Sequence, residues 1–192
     1  MMPENIKSTV RLFADDTIAY ITVTSDDNTL QEDKLALWEE NWMMNLYPDK
    51  CRVLSVTQNR TTIKDYLLHS HTLEHVTSAK YLGVTITSDL KWENHVSNIC
   101  AKANKTIGFV KRNLNISNSD IKQKAYISLV RPTVGYASAL WDPHLQKDNL
   151  KLEMVQRRSA RFVTNRYRNR SSVTDMLEQW TPLEDRRKNA VY

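Results

Sequence analysis

The spacing of the apolar residues changes once along the chain, near Ser88, and that change limits the fold more than any single motif does. Before it, Ile18, Tyr20 and Thr22 alternate with Ala19, Ile21 and Val23, the two-residue period of a strand. After it, Trp92, Val96, Ile99, Ala103, Ile107 and Val110 recur every three or four residues, which puts them on one face of a helix. A chain with strands first and helices afterwards is expected to be α+β. The expected division is a partial antiparallel sheet with a packed helix over residues 1–88, followed by an all-helical part over 89–192.

The strand-rich part opens on Phe13-Ala14-Asp15-Asp16, which reads as the tip of a β-hairpin. Two neighbouring carboxylates repel and bury no apolar surface, so they are poor strand formers unless a cation holds them. Mg²⁺ suits such a turn, because it keeps most of its waters and takes only one or two carboxylates. A plain surface turn explains the same pair, since Asp is a common turn residue. Both readings stand at this point.

Thr29 and Glu32 have capping-box spacing, and Leu35, Trp38, Trp42 and Leu46 then form one apolar helical face, which ends at Pro48-Asp49. Lys50 follows, either as a solvated turn residue or within reach of a reacting group, and leads into the β-rich Cys51–Thr57. Residues 60–87 alternate short apolar runs with polar turns and predict two or three strands, with Gly83 marking a bulge or a close backbone approach. His69, His71 and His75 lack the ligand spacing of a zinc site.

In the helical part, Asp89 can cap the first helix, and Ser117 or Ser119 the second. Arg131-Pro132 is expected to kink or end that second helix, and Trp141-Asp142-Pro143 breaks the chain again. Leu150, Val155, Ala160, Phe162 and Val163 predict a further helix with Arg157, Arg158 and Arg161 on its other faces. From Gln146 to Arg170, eight Lys or Arg face only Asp148 and Glu153, so this segment carries a net charge of +6 in a chain of +5. Arg157, Arg158, Arg161, Arg166, Arg168 and Arg170 are therefore candidates to follow a phosphate backbone, though a solvated basic face has the same composition.

At 192 residues the chain can bury a real core. It has no run of about 18 apolar residues to span a membrane, and its first eight residues lack the apolar region of a secretory signal. The expectation is an intracellular protein, with nucleus and cytoplasm undecided. Cys51 and Cys100 are too few and too far apart for a disulfide framework or a zinc site, and both are expected to be buried thiols. Three glycines leave no phosphate-cradling loop.

Several of these stretches, taken in order, resemble the reverse transcriptases of non-LTR retrotransposons. Phe13-Ala14-Asp15-Asp16 is similar to their palm metal motif, and Trp42, Asn45 and Lys50-Cys51 to the next palm motif. Tyr81-Leu82-Gly83-Val84 is similar to the primer-grip hairpin. Leu90, Trp92, His95, Arg131-Pro132, Tyr136-Ala137-Ser138, Trp141-Asp142-Pro143 and Leu183-Glu184-Asp185-Arg186-Arg187 are similar to the thumb and its extension. The resemblance implies the C-terminal palm over 1–88 and a helical thumb over 89–192. It also implies two-metal nucleotidyl transfer with Mg²⁺ or Mn²⁺ on Asp15 and Asp16, and Lys50 serving the leaving pyrophosphate. Tyr81, Leu82, Gly83 and Val84 would lie against the primer. The implied partners are an RNA template and a DNA primer, with no membrane and no small-molecule cofactor. Gly135 departs from the family, which commonly carries a larger or acidic residue before that tyrosine. A further carboxylate comes from upstream in the family, so this stretch alone is expected to be inactive. The alternative is an inert nucleic-acid-binding remnant.

Overall fold

A computed structural model describes residues 9–13, 16–20, 22, 39, 43, 45–56, 65–167, 173–178, 180 and 182–189. The chain divides into two compact units, residues 1–90 and 91–192. Among the described residues the strands lie in the first unit and the long helices in the second, and the fold is α+β.

In the first unit, β1 (Thr9–Phe13) and β2 (Asp16–Tyr20) form an antiparallel hairpin in which Phe13 faces Asp16 across a two-residue connection. Val10 is buried, whereas Leu12, Phe13 and Tyr20 are exposed. Of the helix expected over 29–46, Trp38 and Trp42 lie outside the described residues. Glu39 is helical and buried, and its carboxylate accepts from the Leu46 N–H. The chain then makes a 3₁₀ turn over Pro48–Lys50, with proline in its first turn where no N–H is needed.

The remaining strands are short: β3 (Arg52–Leu54), β4 (Leu67–Leu68), β5 (His71–Thr72), β6 (Glu74–Val76), β7 (Ser78–Tyr81) and β8 (Val84–Thr87). Among the described residues they form two-stranded pairs, with β4–β5 and β7–β8 antiparallel like β1–β2. Beside these three antiparallel pairs among the described residues, the pair β3–β6 is parallel. The long connection between them, carrying the β4–β5 hairpin, supplies the crossover that a parallel pair needs. Residues 67–87 hold five strands rather than two or three, because tight turns at His69-Ser70 and Leu82-Gly83 fold the runs back on themselves.

The second unit is helical. Helix α1 (Glu93–Asn113) buries Val96, Cys100, Ala103, Ile107 and Val110, with Trp92 and Ile99 partly buried at the edge of the same stripe. Its N-terminus has no side-chain cap. Asp89 instead accepts from the Thr87 hydroxyl at 2.7 Å, in the turn closing the first unit. Helix α2 (Ser119–Ala125) is capped by Asn118, between the two serines expected for the task; its side-chain oxygen accepts from Asp120 N at 2.8 Å and Ile121 N at 3.3 Å.

Pro132 does not end this helix. The backbone widens into a π-turn over Tyr126–Val130, in which Arg131 N–H reaches back to Tyr126 O, and α3 (Arg131–Gly135) continues from it. The wider turn accommodates a proline that an α-helix could not, since it has no N–H to give and its ring would clash with the carbonyl four residues earlier. Helix α4 (Gln146–Thr164) packs along α1 and ends at Asn165, whose left-handed backbone (φ 57°) is a helix-stop conformation that Asn tolerates. Two short helices follow, α5 (Thr174–Glu178) and α6 (Leu183–Asn189).

A tryptophan anchors this core. Trp141 is fully buried and donates from Nε1 to Tyr136 O at 2.9 Å, so its one polar group is satisfied. His95 meets it edge-on at 5.0 Å between ring centres. The Arg187 guanidinium lies 5.9 Å from its ring, donates to Asn149 Oδ1 at 2.6 Å and reaches Asp142 Oδ1 at 3.3 Å. The Trp141-Asp142 turn and Arg187 are thus joined by contacts that close the helical unit.

Candidate catalytic hairpin and nucleic-acid interface

Asp16 begins β2, paired with Phe13, and its side chain is exposed. Asp15, in the two-residue connection before it, lies outside the described residues. One carboxylate at a hairpin head leaves water to fill most of a hard cation's octahedral shell, which Mg²⁺ accepts. Among the described residues no three His, Cys, Asp or Glu side chains converge on a common point.

Lys50 ends the 3₁₀ turn, exposed, with Nζ 5.5 Å from the centre of the Tyr47 ring. Nearby, Arg52 pairs with Glu74 across β3–β6 at 2.8 Å. Cys51 is only half-buried, not the buried thiol expected; Cys100 is buried, and burial pushes its thiol up to about 11. His69 pairs with Glu39 at 2.8 Å and His75 lies 3.9 Å from Asp65, so these two histidines face different acids.

The β7–β8 hairpin turns on Leu82 and Gly83, both with positive φ (44° and 81°). Gly83 therefore occupies a turn position and not a bulge, the first of the two alternatives its place in the strand pattern offered. Positive φ at both central residues is the geometry that matches the twist of paired strands, and it favours Asn-Gly or Asp-Gly. Leucine at the first position pays steric strain for no benefit to the turn itself. Tyr81 and Leu82 are half-buried, Gly83 exposed and Val84 buried.

On α4, Arg157 and Arg158 are exposed and Arg161 is half-buried. None of the three is ion-paired with a described acid. Leu150, expected in the core, is instead exposed, as is Met154. Together with Arg157 and Arg161 they form one outward stripe, because steps of three and four residues stay on one face. Arg166 lies 3.8 Å from Asp175, and Arg168 and Arg170 fall outside the described residues. Lys147 pairs with Glu93 at 2.8 Å, and Lys151 with Asp148 at 3.0 Å and Glu93 at 3.7 Å, so both lysines are partly neutralised at the surface. Glu93 is held below the usual carboxylate range chiefly by the hydrogen bond from Lys147.

The chain is similar to the RNA-directed DNA polymerase from mobile element jockey of Drosophila melanogaster. The two are 22% identical over 164 residues, covering 81% of this chain and 18% of that protein. The chain thus spans less than a fifth of the length of this relative. No protein-family model matches the chain, and no solved structure matches it. The similarity points to a reverse-transcriptase-like origin. Among the described residues, no helix is long and apolar enough to cross a membrane.

Proposed function

We propose that this chain is the C-terminal palm and thumb portion of an RNA-directed DNA polymerase of a non-LTR retroelement. The observation that carries the reading is the similarity to the jockey polymerase over 81% of the chain. The hairpin that sets Asp16 at the head of a strand supports it, as does the unpaired arginine face of α4.

In this reading Asp15 and Asp16 are the protein's ligands to Mg²⁺ or Mn²⁺, an ion that would polarise the phosphate undergoing attack. Lys50, exposed at the end of the 3₁₀ turn that opens the next motif, gives a proton or a positive charge to the leaving pyrophosphate. Tyr81, Leu82, Gly83 and Val84 steady the primer strand; a leucine kept in a strained turn fits a tip selected for contact and not for turn stability. Arg157, Arg158, Arg161, Arg166, Arg168 and Arg170 follow the phosphates of primer and template without reading sequence.

Titrating the chain with a DNA primer annealed to an RNA template, at several salt concentrations, tests the interface. The expected result is an affinity that falls linearly in log–log form, as counterion release requires, with a shallower slope for the Arg157→Gln, Arg158→Gln, Arg161→Gln triple variant. An unchanged slope in the folded variant would remove α4 from the interface.

A further inference from the structure

Outside the α4 face, the helical unit has a second concentration of positive charge, and this one is concave. A hollow of about 200 Å³ opens between the π-turn, α3, α4 and the residues leading into α6. That is several times the roughly 30 Å³ share of one water molecule. Its floor is Tyr126, stacked face to face on Trp180 at 4.4 Å with 7° between the rings. Arg131, from the start of α3, and Arg186, from α6, contribute to the wall, with Gln123 and Gln156 beside them.

Neither guanidinium is ion-paired with a described acid. Both lie close enough to act on the buried Tyr126 phenol, opposing the rise to about 12 that burial causes. An acid acting on the same phenol, Glu153, receives the Leu183 N–H at 3.2 Å at the start of α6. Arg131 is half-buried and Arg186 exposed, so solvent screens part of the repulsion between these two like charges, and an anion between them relieves the rest. Guanidinium groups present planar forks that match phosphate oxygens, and side-chain amides add neutral donors.

We infer that this hollow is a phosphate-binding site, which takes one phosphate group of a nucleic-acid strand between Arg131 and Arg186. The identity of the strand rests on the proposed function; the affinity for phosphate rests on the hollow alone. The two arginines lie 55 positions apart in sequence, which is why spacing gives no hint of them.

The test uses the full chain and two probes. A fluorescein-labelled single-stranded RNA 12-mer should bind the Arg131→Gln, Arg186→Gln variant about tenfold more weakly than the parent, since charge-assisted hydrogen bonds are lost. The log–log salt slope should be shallower by about 0.7, the value for one phosphate on a single strand. The Arg131→Lys, Arg186→Lys variant should keep the slope but lose part of the affinity, because lysine keeps the charge and not the fork. Inorganic phosphate, followed at the Trp180 indole signal by NMR, should shift that signal in the parent and leave it still in the Gln variant. A Gln variant with the parent's melting temperature, unchanged RNA affinity and an unchanged phosphate response would overturn the proposal. Phosphate binding without RNA binding would keep the hollow, overturn the nucleic-acid strand as its ligand, and count against the proposed function. RNA binding that depends on Arg157, Arg158 and Arg161 but not on Arg131 and Arg186 would overturn the nucleic-acid strand as the hollow's ligand and leave the proposed function intact.

Discussion

His95 shows what a single residue does in this unit. It is almost wholly buried on α1 with Trp92 and Trp141 against it, and burial lowers its pKa below the ordinary 6.5 because the charged ring would lose its hydration. The unfolded chain therefore binds a proton that the folded chain refuses. Stability is full above about pH 6.5 and falls as the pH drops below it toward the depressed folded value. Thermal melts from pH 7.5 to 5 should show the melting temperature falling, and His95→Gln should flatten that part of the fall. Equal slopes for the two proteins would mean that His95 takes up its proton without loss of packing. The sequence marked this histidine only through a resemblance, because a lone histidine at helical spacing gives no sign of its burial. Arg187 was equally opaque: a guanidinium on a charged stretch reads as exposed, and only the fold brings Trp141, Asp142 and Asn149 to it.

At the scale of elements, period and turn chemistry carried most of the fold. The stripe of α1 was legible because Val96, Ala103, Ile107 and Val110 step evenly, while its margins at Trp92 and Ile99 depend on how far neighbouring helices reach. The short strands of residues 67–87 were under-counted, since a two-residue strand has no period to detect. The π-turn was illegible in detail: proline signals a broken α-helix but not which of several repairs the backbone adopts. Gly135 closes α3, and a Cβ built there meets no atom within 4 Å. Its φ is not in the positive region, so Gly135→Ala should stabilise the chain by about 0.4–1 kcal/mol, mainly by restricting the unfolded chain. Chemical denaturation at constant m-value would show the midpoint rising. A lower midpoint would mean that the helix end needs the freedom of glycine.

For the whole molecule, the sequence and the structure inform different halves of the functional reading. The α+β class was legible from the change of period, and the similarity to the jockey polymerase agrees with a reverse-transcriptase-like origin. The charge of α4 was legible, but its distribution was not: Lys147 and Lys151 turn to Glu93, while Leu150 and Met154 turn outward beside Arg157. Composition alone cannot separate those outcomes, because a helix places lysines by what its neighbours offer them. The central claim is that Asp15 and Asp16 serve nucleotidyl transfer. It is tested by exchanging the matched stretch of the Drosophila jockey polymerase for this chain and measuring extension of a DNA primer on an RNA template with Mg²⁺ or Mn²⁺. The account predicts extension that Asp15→Asn with Asp16→Asn abolishes while primer–template binding persists. Extension that survives both substitutions, or a folded chimera that binds primer–template and never extends it, would contradict the claim.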